Sequence, residues 1–485
     1  MVKGRIRKKI LWTSIIGVLL IVGYLATLSD SPLDDSLKFV DIDSYLSKKE
    51  MSKDIDSLIS TFEKIHPNPY RFTEKSKFIS KIDSIKWQLP DSLTTIGFWR
   101  IIDRVIIQYN DAHSYAEDSY VLTDYVKKEK LFFPYSAKIK NNKILISSGA
   151  NSKQNLPLGT EIKSINGKTD EEIINALLTH ATKETQFLKR HEISDDFGFY
   201  LWKTFNWDSE FKIHYEITNS NHLDSIVIKG INWEKRNKPI TTDNDLFSFN
   251  FLEDNVGLMK ITDFNGDEKE IEAFYKQSFE LLKEKNASHL ILDFRGHKGG
   301  ADRYGEHLAK YFSKEPYRKL SKSYWKITPE FKDAFDRKFV PKSIRWFKPI
   351  YLVNEYSSIF YGSKPNEIIT VNYEMNEPLA EEKRFNGDVY LITDHNTFSA
   401  GSIFAEMFKY YKMGKIIGQP TGNLCSFNGF ALAHFTLPNS KLSFQVSSVY
   451  NIANNREESL KSVEPDYYID LTNDPVKYIL KNFIQ

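Results

Sequence analysis

The strongest constraint in this chain is a pair of apolar runs, each of which breaks into a turn suited to exposing backbone amides. Residues 389–393 (Val-Tyr-Leu-Ile-Thr) lead through Thr397-Phe398-Ser399-Ala400-Gly401-Ser402 into a helical pattern at 403–408. Residues 289–294 lead through Arg295-Gly296-His297-Lys298-Gly299-Gly300 into a second one, marked by Tyr304, Leu308, Tyr311 and Phe312. With the strand pattern at 256–261 and the amphipathic helix pattern at 268–284, this order predicts right-handed parallel crossover units, hence an α/β core beginning near Asp245.

Ser399 would stand at a helix N-terminus, where free N–H groups and the helix dipole favour a developing oxyanion. A serine so placed is a candidate nucleophile if a base reaches it, or simply a helix cap. The glycines at 299 and 300 let backbone N–H groups approach a ligand. Phosphate binding is the rival for that loop. It is poorly supported, because neither Gly-Lys-Ser/Thr nor Gly-x-Gly-x-x-Gly follows. Glu306-His307 lacks a His-Glu-x-x-His partner, so no metal is implied, and no cofactor is expected.

Short pieces in a fixed order carry a family resemblance. Asp111-Ala112-His113-Ser114, 292–300 (Leu-Asp-Phe-Arg-Gly-His-Lys-Gly-Gly), 397–401, 417–422 (Ile-Gly-Gln-Pro-Thr-Gly) and Val463-Glu464-Pro465-Asp466 are together similar to motifs of the C-terminal processing (tail-specific) and tricorn-core serine peptidases, family S41. The set covers most of residues 100–470. The resemblance implies a crotonase-like (ClpP/crotonase) catalytic core, an N-terminal helical domain and a PDZ-like domain. It also implies serine-type hydrolysis of protein or peptide substrates.

The resemblance further assigns roles. Ser399 is the nucleophile, and Gly299, Gly300 and Ala400 supply oxyanion N–H groups. The Ser–Lys branch of the family has a lysine after Gly-x-x-Thr-x-Gly, whereas this chain has Asn423-Leu424-Cys425. It therefore looks closer to the tricorn-like branch, where a histidine serves the serine. His113 is that candidate, since an imidazole of ordinary pKa near 6.5 accepts and returns a proton at neutral pH. Its orienting acceptor is Glu458 by family spacing, with Glu457, Asp111 and Ser114 as alternatives. The tricorn pattern has Ser before the His, where this chain has Ala112. Ser402 is often acidic in the family, His297 stands where Asn is usual, and His395 has no counterpart. Two rivals stay open: a catalytically inactive relative binding a peptide or apolar ligand, and a crotonase-fold acyl transferase acting on a thioester.

The N-terminus sets the compartment. Five basic residues, Lys3, Arg5, Arg7, Lys8 and Lys9, precede an uncharged span at 10–28, and Asp30, Asp34 and Asp35 follow. At ~1.5 Å per residue the span just crosses a bilayer. Basic flanks stay cytoplasmic, so the rest of the chain would be extracytoplasmic (periplasmic or extracellular) on one transmembrane helix. Secretion after signal cleavage is the alternative. Taking those five charges from the formal +2 leaves −3, a near-neutral body with no footprint for nucleic acid. Cys425 is the single cysteine, so no intrachain disulfide exists.

The remaining organisation is an anchor at 1–28, a polar linker at 29–50, a helical domain at 51–128, a PDZ-like domain at 129–240 and the catalytic core at 241–485. The second domain is read from the strand ending at Asn166-Gly167 and from an acid-capped helix at 169–178. Either it binds a substrate chain end by strand addition or it is a spacer. Residues 314–386, crowded with aromatics, form an insertion between the two turns. It is read either as a lid or groove wall, or as a helical subdomain with its own core.

Overall fold

The structure, a computed structural model, describes residues 40–117, 120–149, 156–217, 223–235, 246–253, 255–339, 355–429, 434–455, 461–470 and 473–484. The apolar span at 10–28 and both Glu457 and Glu458 lie outside the described residues. Among the described residues no helix is long and apolar enough to cross a membrane.

The N-terminal part is helical. Ser47 and Glu50 form a capping box that starts helix Lys48–Ile65, and Met51, Ile55, Leu58, Phe62 and Ile65 make its buried stripe. The helix stops before Pro67-Asn68-Pro69, as proline requires. Helix Thr95–Ile106 packs beside it and ends in a short 3-10 turn, Ile107–Tyr109. Residues 40–50 are not the expected linker. Val40, Ile42 and Leu46 are buried, and strand Tyr45–Ser47 pairs antiparallel with Ser92–Thr94.

The next unit is an antiparallel sheet whose strands run from Tyr135–Lys140 to Leu223–Lys229. Asn166 (φ 50°) and Gly167 (φ 82°) make the expected left-handed turn. Thr169 and Glu172 box the start of helix Asp170–Leu178. Helices Gln186–Asp195 and Phe197–Phe205 complete the unit, whose core is its own.

The third unit carries the six-stranded sheet. Phe247–Glu253 runs antiparallel to Val256–Ile261, and His289–Asp293, Asp388–Thr393, Lys415–Gly418 and Tyr467–Tyr468 follow in parallel. Helix Glu268–Glu284 makes the first crossover and helix Ala400–Tyr410 the crossover between the last long strands. Strands His289–Asp293 and Asp388–Thr393 are neighbours in register, Asp293 against Ile392, so their C-terminal turns emerge side by side. That adjacency assembles the site.

The described part of 314–386 does not stand apart. Strand Lys322–Ile327 lies between Glu367–Asn372 and Val449–Ile452. Trp325, Phe331 and Phe360 are buried in a core shared with the N-terminal helices. These aromatics tie the helical unit to the antiparallel sheet that contains Lys322–Ile327 instead of lining a groove.

Candidate active site

The two turns are stitched to each other. Gly296 N–H donates to Asp394 Oδ1 (3.0 Å), Thr397 Oγ1 to the Phe294 carbonyl (2.8 Å), and Phe398 N–H to the His297 carbonyl (2.8 Å). Ser402 Oγ donates back to the Thr397 carbonyl (2.7 Å), which closes the first turn of the helix. Ser399 is held at φ 53°, ψ −117°, a conformation that non-glycine residues avoid, and its hydroxyl makes no capping bond. The capping alternative is thereby excluded. The strained turn points Oγ out of the helix start, where such strain is characteristically stored for function.

His113 reaches that hydroxyl across 286 residues of sequence, with Nε2 3.2 Å from Ser399 Oγ. Its imidazole is stacked between Phe398 (4.7 Å) and Phe427 (5.2 Å). Burial, with a smaller push from Lys183, lowers its pKa to about 4 against the opposing pull of Asp111. The ring is therefore neutral at neutral pH, the form a general base needs. For Nε2 to accept, the proton must sit on Nδ1. Nδ1 is buried and has no partner among the described residues.

Neither Asp111 nor Ser114 orients the ring. Asp111 Oδ1 accepts the backbone N–H of His113 (3.0 Å), while Oδ2 accepts from Ser114 Oγ (2.5 Å) and His66 Nε2 (3.2 Å). Asn68 N–H donates to His66 Nδ1, so His66 carries its proton on Nε2, toward Asp111. Ser114 Oγ in turn accepts from Ser447 N–H (3.0 Å). Burial would raise the Asp111 pKa, but these bonds and both histidines outweigh it and hold the carboxyl down at about 2. Asp111 therefore fixes the loop that carries His113, acting through its backbone.

Among the expected oxyanion donors, Gly300 and Ala400 have N–H groups with no partner among the described residues. Gly299 N–H is not free, because it donates to His297 Nδ1 (3.1 Å). Gly299 contributes by shape: at φ 115°, a Cβ there would lie 2.7 Å from Ser399 Cβ. A Cβ on Gly300 (φ 107°) would meet the Phe264 carbonyl oxygen at 2.5 Å. His297 is fully buried against Phe294 and Phe264, and burial pushes its pKa down to about 3. It acts as a neutral acceptor that fixes the glycine loop.

The remaining histidines stand away from the hydroxyl. His395 places Nδ1 2.8 Å from Gln419 Oε1 and Nε2 3.2 Å from Asp195 Oδ1. Burial opposes its charge, yet those acceptors raise its pKa. His307 pairs with Glu272 and His434 with Glu117. Two residues escaped the sequence reading. His66 is visible only as the last residue before a proline break. Asn423 occupies the stretch where a lysine was sought, and its Oδ1 accepts Ser399 N–H at 2.6 Å. Among the described residues no cluster of histidine, cysteine or carboxylate groups could hold a metal ion.

Residues 255–469 match the model of peptidase family S41. No curated protein matches the chain. Among solved structures, a point mutant of CPAF is similar at TM-score 0.63 and 12% identity, over 90% of this chain and 96% of that one. Mature CPAF complexed with lactacystin is similar at TM-score 0.56 and 11% identity, over 87% and 94%. The photosystem II D1 C-terminal processing protease aligns at TM-score 0.41 and 12% identity, over 87% and 93%. At such identities the CPAF likenesses speak for the fold. Residues 255–469 are matched by peptidase family S41, and that match supports a serine peptidase by class.

Proposed function

We propose that the chain is a serine endopeptidase that cleaves extracytoplasmic protein or peptide substrates through an acyl-enzyme on Ser399, with His113 as general base. The observation that carries this reading is the 3.2 Å approach of His113 Nε2 to Ser399 Oγ in a strained turn flanked by amides that are unpaired among the described residues. Oγ attacks the scissile carbonyl carbon while its proton passes to Nε2. The carbonyl oxygen takes the negative charge, opposite the N–H groups of Gly300 and Ala400. The C–N bond then breaks, and the leaving amine takes the proton from Nε2. Water attacks the ester with the same base, returns the proton to Oγ and releases the acid.

The imidazolium formed midway needs an acceptor at Nδ1. By family spacing Glu458 is the residue assigned that role, with Glu457 as the alternative. Support comes from the chain on either side. Asn454 N–H is bound to Glu406, and the Lys461 carbonyl accepts Cys425 N–H (2.8 Å), two residues past the asparagine that holds Ser399. The sheet unit at 129–240 is read as PDZ-like and would deliver a chain end to the site. Residues 10–28 would hold the body at a membrane.

A fluorophosphonate probe on the purified chain tests the assignment. Wild type should be labelled, Ser399→Ala should not, and His113→Ala and Glu458→Ala should label more slowly. Labelling that survives Ser399→Ala removes the nucleophile. A wild type that binds peptide without being labelled would identify an inactive relative.

A further inference from the structure

The segment joining helix Asp170–Leu178 to helix Gln186–Asp195 lies outside the family match, yet it reaches both halves of the catalytic pair. Lys183 Nζ donates to the Gly422 carbonyl (3.4 Å) and sits 3.5 Å from the centre of the Phe398 ring. Asp195 accepts from His395 Nε2 and from Asn396 Nδ2 (3.0 Å), just ahead of the nucleophile. Glu184 lies between these contacts. Its main-chain carbonyl accepts Asn110 Nδ2 (2.8 Å), on the loop that carries His113, and the nearby Ala112 amide helps to keep its carboxyl charged. Oε1 of the same carboxylate faces Asn423 Nδ2 at 3.5 Å, and Asn423 is the residue whose Oδ1 holds Ser399 N–H.

We propose that Glu184 is a positioning residue for the peptidase reaction: tied to the histidine loop by its main-chain carbonyl on Asn110, it sets its carboxylate against Asn423 and so holds the nucleophile turn in register with that loop. The proposal rests on the peptidase reading above. Two observations separate Glu184 from an ordinary structural carboxylate. It comes from a third segment and holds two others that must meet to within a hydrogen bond. Its Oε2 is buried without a partner among the described residues, a cost that structural groups normally avoid.

Charge makes the support titratable. Burial, aided by Asp111, raises the Glu184 pKa to about 7 against the pull of Lys183. Lys189 also faces it, and its ammonium feels the carboxylate. His113, with its pKa near 4, stays neutral throughout this range. The ionised carboxylate is the better acceptor for the Asn423 amide, so the site is firmest above pH 7 and loosens as pH falls through that value.

The test is the rate of fluorophosphonate labelling of the full chain between pH 4.5 and 8.5, for wild type, Glu184→Gln and Glu184→Ala, with thermal melts of each. Wild type should lose rate as pH falls below about 7. Glu184→Gln should be about 10-fold slower at pH 8, with kinact reduced and KI unchanged, and should show no limb near 7. Glu184→Ala should be about 100-fold slower. If the alanine variant does not fold, the glutamine variant alone decides. Glu184→Gln labelled at the wild-type rate with the limb near 7 intact overturns the proposal. If wild type is not labelled at all, the peptidase reading fails separately, and a crystal structure of Glu184→Gln decides this one. The proposal stands if the Ser399–Asn423 bond or the His113–Ser399 contact opens, and falls if both keep their lengths.

Discussion

The nucleophile turn and the histidine loop meet at one hydrogen bond but are built in opposite ways. The turn is local: a buried strand, a left-handed serine and a helix start lie within 388–410, closed by bonds such as Ser402 Oγ to the Thr397 carbonyl. The loop at 110–114 has little regular structure of its own. It is held by Asp111, which draws on His66 from one helix end and on Ser114, itself tied to Ser447 in the catalytic unit. A nucleophile can thus be prepared by a few neighbouring residues, while the base depends on the assembly of the whole molecule.

The largest effect should come from the turn. Ser399→Ala should lower peptide hydrolysis by about 10⁴-fold or more with no change in melting temperature, because the hydroxyl has no structural bond to lose. His113→Ala should cost about 10²–10⁴-fold. A melting temperature that falls sharply in Ser399→Ala would break the contrast from the turn's side.

Damage to the loop's support should reach stability as well as rate. Asp111→Asn leaves buried His66 and the His113 amide facing a weaker partner. We expect a loss of about 1–3 kcal/mol of unfolding free energy, read by denaturant titration, together with slower labelling. Full activity with full stability in this variant would mean that the loop is fixed by something other than Asp111. Gly299→Ala probes the turn by shape alone. Its methyl would lie 2.7 Å from Ser399 Cβ at a φ of 115°, so labelling should fall by about 100-fold while far-UV circular dichroism is kept.

The smallest effect is the most selective. His297→Asn retains an oxygen acceptor for Gly299 N–H and should keep most of the labelling rate. It should also soften the acid sensitivity of the fold. His113 and His191, with pKa values lowered by burial to about 4, and His297, at about 3, resist protonation when folded but take protons near 6.5 when unfolded. Their contribution is complete above about pH 6.5 and is lost as pH falls toward 4 and then 3. Melting temperature should decline over that window, and less steeply in His297→Asn than in wild type.

Much of the chain could be read from local pattern. The acid-capped helix after Thr169, the Asn166-Gly167 turn and the parallel strands at 256–261, 289–293 and 388–393 follow from period, caps and turn residues. Those signals live within one or two turns of chain. Errors arose where a residue's partner is remote. Gly299 was read as an oxyanion donor, but its N–H is taken by His297. Residues 40–50 were read as linker, although Val40, Ile42 and Leu46 found a core to enter.

By itself the sequence determined the two turns and the parallel crossover units that carry them, because steric limits on φ and ψ and the periodicity of buried faces act over short stretches. Only the tertiary structure decided how closely His113 meets Ser399, that Asp111 serves the loop and not the ring, and that Asn423 holds the Ser399 amide. Those outcomes depend on charges and hydrogen-bond partners hundreds of residues apart, whose pairing is settled when burial withdraws water and each polar group must find another.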